Sequence, residues 1–225
     1  IVSNACDANT KLNKLISLGE THDIDPDGRK IVIKLNKSLK TISVCDNGIG
    51  MTEDELKKYL CQIALSGALD FIEKYESESD SGIIGHFGLG FYSSFMVSDT
   101  VDVITRSFNG APAVKWTCSE AGEYEITPDY TLADELIDDF GTTIVMHINE
   151  DGEEYLNEAK LKETLLKYCE FMPVEIYFED EEAEKNEETK NEAVNDPHPL
   201  WQKNPSDRVF IPLQAFWDWE SRMFS

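Results

Sequence analysis

Residues 30–60 read KIVIKLNKSLKTISVCDNGIGMTEDELKKYL, and the side-chain pattern changes twice within them. KIVIKL and KTISVCD alternate or run β-branched on either side of the polar turn NKSL, which predicts a hairpin of two strands. The second strand runs into Asp46-Asn47-Gly48, a combination common in tight turns. Thr52 with Glu55 then forms a capping box, which sets the start of a helix. Strand, loop and helix therefore follow one another within a few residues.

Upstream, apolar residues at 1, 5, 8, 12 and 15 have the four-three spacing of one helix face, so residues 1–18 are expected to be helical and to end near Gly19. Asn4, Asp7 and Lys11 form a neighbouring polar stripe on that helix. Downstream, IIGHFGLGFYSSF (83–95) carries Gly85, Gly88 and Gly90 inside an aromatic and aliphatic run. Each glycine in an element interior costs ~0.5–1 kcal/mol relative to alanine, so this stretch needs bare backbone for another reason. It is expected to be a loop running into a helix from about Gly90, after a charged, serine-rich stretch at 66–82 expected to be mobile. Strands are predicted near 101–106, 113–118 and 142–148, an amphipathic helix over 153–171, and a last strand in PVEIYFE.

The chain has 225 residues, 41% of them hydrophobic, enough for one main domain and the start of another. Residues 1–178 are assigned to the first domain. From 179 to 192, EDEEAEKNEETKNE holds eight acidic and two basic residues and no aromatic, so 179–196 is read as a solvated linker. Residues 197–225 regain aromatics and read as the beginning of a second domain. The net charge of −24 argues against a nucleic-acid partner, and any phosphate bound here needs backbone amides or a metal ion. Five scattered cysteines without zinc-like spacing fit buried reduced thiols and a reducing compartment. No apolar run approaches the ~20 residues of a membrane span. The chain begins without Met, so any targeting segment would lie upstream of Ile1.

Three stretches carry the chemistry together: NACDA at 4–8, DNGIGM at 46–51, and GHFGLGF at 85–91 with GTT at 141–143 behind it. The glycine order is neither the GxGxxG of a Rossmann turn nor a P-loop, so a dinucleotide oxidoreductase is not expected. In order and spacing the set resembles the nucleotide-binding boxes of the superfamily of DNA gyrase, histidine kinases, mismatch-repair ATPases and the 90-kDa heat-shock chaperones. The similarity is closest to the heat-shock chaperones. SNACDA resembles their SNASDA, DNGIGMT their D-x-G-I-G-M-T, IGHFGLGFYS their IGQFGVGFYS, and PLWQKNPSD the start of their middle domain. His86 and Leu89 suggest a bacterial-type member.

The resemblance implies an α+β fold: a two-layer sandwich of a mixed, mostly antiparallel sheet with helices on one face carrying an ATP pocket. Gly85, Gly88 and Gly90 would form the phosphate-side loop, with His86, Phe87 and Leu89 between them, where backbone N–H groups meet the anion. Asp46 would accept from the exocyclic amine of adenine, with Thr142 and water completing the contact; an ionised carboxylate only accepts and so suits an amine. Gly50 would let the base approach the backbone and Met51 would pack on the ring. Asn4 would hold Mg²⁺ through its amide oxygen. Asp7 and Ala8 would line the pocket, Lys11 would stand at its rim or in solvent, Ser66 would lie on the lid side, and Phe91 would sit beside the sugar or in the core.

The family places its general-base glutamate one residue before the position matching Ile1, so no catalytic residue is assigned within the chain. Residues 1–225 are expected to bind ATP or ADP without measurable turnover. Tyr59 and Leu65 stand where many members have Asn and Lys, and His86 replaces a glutamine. His22, His147 and His198 are read as structural or solvated. The resemblance further implies an ATPase in the full-length protein, a cytoplasmic homodimer acting on client proteins, and a lid over roughly 57–91 hinged at 77–82. Two alternatives are a mismatch-repair or gyrase-type ATPase and a noncatalytic acidic protein-binding module. Neither nucleic acid nor membrane is expected as a partner.

Overall fold

A computed structural model describes residues 1–21, 24–25, 27–61, 90–137, 139–183 and 192–198. The amphipathic pattern at the start forms α1 (Val2–Ser17), whose Ala5, Cys6, Asp7, Asn9, Leu12 and Leu15 are buried. The hairpin is β1 (Lys30–Asn36) and β2 (Thr41–Asp46), with Ile31 opposite Asp46 and Asn36 opposite Thr41. The capping box is present with both of its hydrogen bonds, and it opens α2 (Glu53–Leu60).

Beyond Gly90, where a helix was expected to begin, the chain turns through a 3₁₀ helix, Phe91–Met96. Three strands follow: β3 (Ser98–Arg106), β4 (Val114–Ser119) and β5 (Tyr124–Thr127), the last a short exposed strand without an apolar alternation to announce it. A 3₁₀ turn at Thr131–Glu135 leads to β6 (Gly141–Ile148). The helix expected over 153–171 is divided. Residues Glu150–Leu156 form a 3₁₀ helix, and Asn157 then accepts from the Lys160 backbone N–H and caps α3 (Glu158–Cys169). The final strand is β7 (Glu175–Asp180).

The seven strands form one sheet in the order β5-β4-β3-β6-β2-β1-β7. Every neighbouring pair is antiparallel except β1 and β7, so the sheet is mixed and mostly antiparallel. One face is apolar: Ile31, Ile33, Val44, Val103, Trp116 and Met146 meet Cys6 of α1, Leu56 of α2 and Leu161 and Leu165 of α3 in the main core. The period-2 alternation of strands puts the intervening residues on the other face. There Asp102 accepts from Thr117 Oγ1 and lies 3.1 Å from His147 Nε2 and 3.2 Å from Lys115 Nζ. A smaller cluster of Ile104, Ala113, Ala133 and Ile137 accompanies it. The cysteines are all free, with Cys6, Cys118 and Cys169 buried.

The acidic run leaves from β7, and residues 184–191 lie outside the described residues. Past it, the chain returns to the sheet edge. Val194 N donates to Ile176 O, and buried Asn195 bonds to the backbone of Met172, Val174 and Ile176.

Candidate functional site

The site is built where the C-terminal end of β2 meets the start of β6. Asp46 pairs with Thr142 in the ladder. Its carboxylate accepts from the Gly48 N–H at 2.9 Å and from the Thr142 backbone N–H. Burial pushes this carboxyl up from the ordinary 3.8 to about 7, against the opposing pull of those two N–H groups. No cation pairs with it among the described residues. It is an acceptor held in place by neutral dipoles and left without a counter-charge.

The loop after Asp46 is fixed by two backbone contacts and one buried side chain. Ile49 N donates to Ala8 O of α1, Phe108 N donates to Ile49 O, and Met51 N donates to the Thr105 hydroxyl. Asn47 joins it to the entry of β1 through Lys30 N and Gly28 O, and Arg29 donates to Asn47 O. These approaches are too close for side chains. At Gly50, with φ +62°, a Cβ would lie 1.9 Å from Arg106 O, and at Gly48 it would lie 2.5 Å from the Ala8 carbonyl carbon. Gly141, at the head of β6, comes equally close to Asp46 O. The wall of the site is therefore bare backbone around one carboxylate.

On α1, Asp7 is 5% exposed. The Cys6 thiol is pushed up to about 12, first by burial and then by the carboxylates and thiol around it, Asp7, Cys169 and Asp46. Asn4, in the first turn of α1, faces Gly90: a methyl group on that glycine would lie 3.6 Å from Asn4 Oδ1. Met51 is half-buried against the core. Lys11 is half-buried further along the stripe.

Of the residues expected from the sequence, Ala8, Asp46, Gly50, Met51 and Thr142 are joined by the contacts above, Asn4 faces Gly90, and Asp7 is buried on α1. Phe91 sits in the core, 5% exposed and edge-on to Tyr92, Phe95 and Trp116. Ser66, Gly85, His86, Phe87, Gly88 and Leu89 lie outside the described residues, as does His22. Thr105 is the participant that sequence reading missed. It is fully buried, and its hydroxyl lies 2.9 Å from Thr142 Oγ1 and 3.1 Å from Gly141 O. A β-branched residue inside a strand gives no sign of that role.

A chain in which a glycine-lined loop, a strand-end carboxylate and a polar helix stripe converge in this way has relatives. The family model of histidine kinase-, DNA gyrase B- and HSP90-like ATPases matches residues 1–140, and the chain belongs to that family. It is similar to the Chaperone protein HtpG of Porphyromonas gingivalis, 47% identical over 212 residues, covering 92% of this chain and 30% of the relative. The protein of that name from Bacteroides fragilis is 44% identical over 212 residues, covering 92% and 30%. That of Vibrio atlanticus is 37% identical over 234 residues, covering 100% and 36%. The chain spans about a third of the length of these relatives.

Proposed function

We propose that this chain is the ATP-binding part of a bacterial-type 90-kDa heat-shock chaperone, in which ATP binding and slow hydrolysis drive lid closure and the clamping of a homodimer around client proteins. The observation that carries the reading is Asp46. A carboxylate is held at a strand end by two backbone N–H groups, without a cation, in a loop whose glycines pack directly against neighbouring backbone. Such a group is an acceptor waiting for a donor, and the exocyclic amine of adenine supplies one. The family membership and the similarity to proteins named as chaperones support the same reading.

The phosphates are assigned to the side of Gly90 and Asn4. Mg²⁺ typically takes only one or two protein oxygens and fills its shell with phosphate and water. Among the described residues there is no group of three or more His, Cys, Asp and Glu that could cage a metal, so a lone amide oxygen on α1 fits that pattern. Bound with ATP, the ion would be held by Asn4 Oδ1 and would supply positive charge to a chain of net charge −24. Asp46 and Thr142 hold the base, Met51 packs on it, and Asp7 lines the floor. Hydrolysis, dimerisation and client binding are assigned to the intact protein in the cytoplasm. No helix among the described residues is long and apolar enough to cross a membrane.

Calorimetric titration with ADP and Mg²⁺ tests this function. Micromolar binding, with GDP a much weaker competitor because its O6 would face Asp46 acceptor to acceptor, is the expected result. Equal binding of GDP and ADP, or no binding, would overturn it.

A further inference from the structure

The hydroxyl of Thr105 has three polar neighbours. Met51 N lies at 2.9 Å, Gly141 O at 3.1 Å and Thr142 Oγ1 at 2.9 Å, and the residue is fully buried. A hydroxyl owns one proton and two lone pairs. The Met51 N–H can only donate and the Gly141 carbonyl can only accept. All three contacts are hydrogen bonds in one arrangement alone: Thr105 receives protons from Met51 and Thr142 and gives its own to Gly141. The Thr142 proton then points at Thr105, and Thr142 turns only lone pairs elsewhere. Asp46, its direct partner across the ladder, is likewise acceptor-only when ionised.

We propose that Thr105 is a specificity-determining positioning residue: by holding the Thr142 hydroxyl proton it makes the wall beside Asp46 acceptor-only, so that the site selects purines bearing an amine at position 6 over those bearing an oxygen there. This rests on the adenine-pocket reading given above. Thr105 itself, having no exposed surface, acts through Thr142 and through the Met51 backbone. A free threonine hydroxyl would be indifferent, since it rotates to donate to a carbonyl as readily as it accepts from an amine. A locked one penalises the carbonyl, because a buried acceptor then faces an acceptor.

The test compares ADP with inosine diphosphate, in which oxygen replaces the amine and N1 carries a proton, by competition calorimetry on the purified protein. The parent is expected to prefer ADP by about 100-fold or more, as sites built around a hydrogen bond do. Thr105→Val keeps the shape and removes the hydroxyl, freeing the Thr142 proton, and is expected to lower that ratio by about tenfold. Thr105→Ser is expected to restore it. An unchanged ratio in Thr105→Val, even with both nucleotides weakened together, overturns the proposal, because a purely structural role moves both alike. A parent that binds neither nucleotide overturns the adenine pocket itself, and the proposal with it. Should Thr105→Val fail to fold, neutron diffraction of the deuterated parent decides. A deuteron on Thr142 directed at Thr105 upholds the proposal, and a deuteron on Thr105 directed at Thr142 overturns it.

Discussion

Asp46 and Thr142 stand directly opposite each other across β2 and β6, and the backbone N–H of Thr142 donates to the Asp46 carboxylate. The ladder register thus places a carboxylate and a hydroxyl side by side at one end of the sheet. It does so where Gly48, Gly50 and Gly141 let neighbouring backbone pack too closely for any side chain. A strand shifted by one residue would send Asp46 to the opposite face. The chemistry of the site therefore depends on a pairing set by the apolar alternation of the two strands, far along them from the carboxylate.

The raised pKa of Asp46 makes the unliganded protein sensitive to pH in a stated direction. Its folded value is about 7 against an ordinary 3.8, so between these two the folded state binds more protons than the unfolded state. Stability contributed by this group is complete below about pH 4 and falls as pH rises towards 7. Urea denaturation of Asp46→Asn, set beside the parent from pH 5 to 8, is expected to show a shallower decline in the variant. Parallel profiles would contradict the assignment.

The same ionisation governs binding. Accepting from an amine in a charge-assisted bond favours the ionised carboxylate, so occupation of the pocket should expel a proton below about pH 7. Adenosine, which has no titrating phosphate, isolates the effect. Its affinity is expected to weaken as pH falls from 8 to 6, and the binding heat should vary with the ionisation enthalpy of the buffer. Constant affinity over that range would contradict this account.

Gly50 is held with φ +62°, where its missing Cβ would overlap the Arg106 carbonyl. Gly50→Ala is expected to cost about 2–4 kcal/mol, from backbone strain and displacement of the loop from β3. The measurement is the urea midpoint. A loss under about 0.5 kcal/mol would mean that the loop relaxes freely, and the rigid wall described above would not exist.

Much of this architecture was legible in the sequence, and the reasons are local. The hairpin and α2 were readable because alternation and the Thr52–Glu55 box are encoded within a few residues. The position of α1 followed from its apolar spacing. Asp46, Gly50 and Thr142 were singled out only by the combination of three stretches, since Asp-Asn-Gly alone is common in tight turns. Thr105 was not readable, since its role depends on β3 lying beside β6, a pairing between residues far apart in sequence. The start of α3 was misplaced because Asn157, a strong cap, lies inside an otherwise continuous amphipathic pattern. Nor does anything in YEIT distinguish the exposed strand β5 from a loop.

On the opposite face of the sheet, Asp102 ties β3 to β4 and β6 through Thr117, Lys115 and His147. Burial alone would raise its pKa. The hydrogen bonds from Thr117 and His147 and the charge of Lys115 outweigh that, and the net shift is downward. A depressed carboxylate adds stability above its unfolded pKa and loses it as pH falls through the folded value. Asp102→Ala is therefore expected to destabilise the protein by about 1–2 kcal/mol at pH 7, with the difference vanishing in acid, and to leave ADP affinity unchanged. Weaker ADP binding in this variant would show that the two faces are coupled.

The proposed contact between Asp46 and the amine of adenine is probed by titration of ADP with Mg²⁺ into the parent and into Asp46→Asn. The amide places donors where the ligand also donates, and the charge-assisted bond is lost. Together these are worth about 2–4 kcal/mol, or roughly 30- to 1,000-fold in affinity. Micromolar binding by the parent is expected, with a loss of that size in a variant whose circular dichroism spectrum is unchanged. Equal affinity in the two proteins would contradict it.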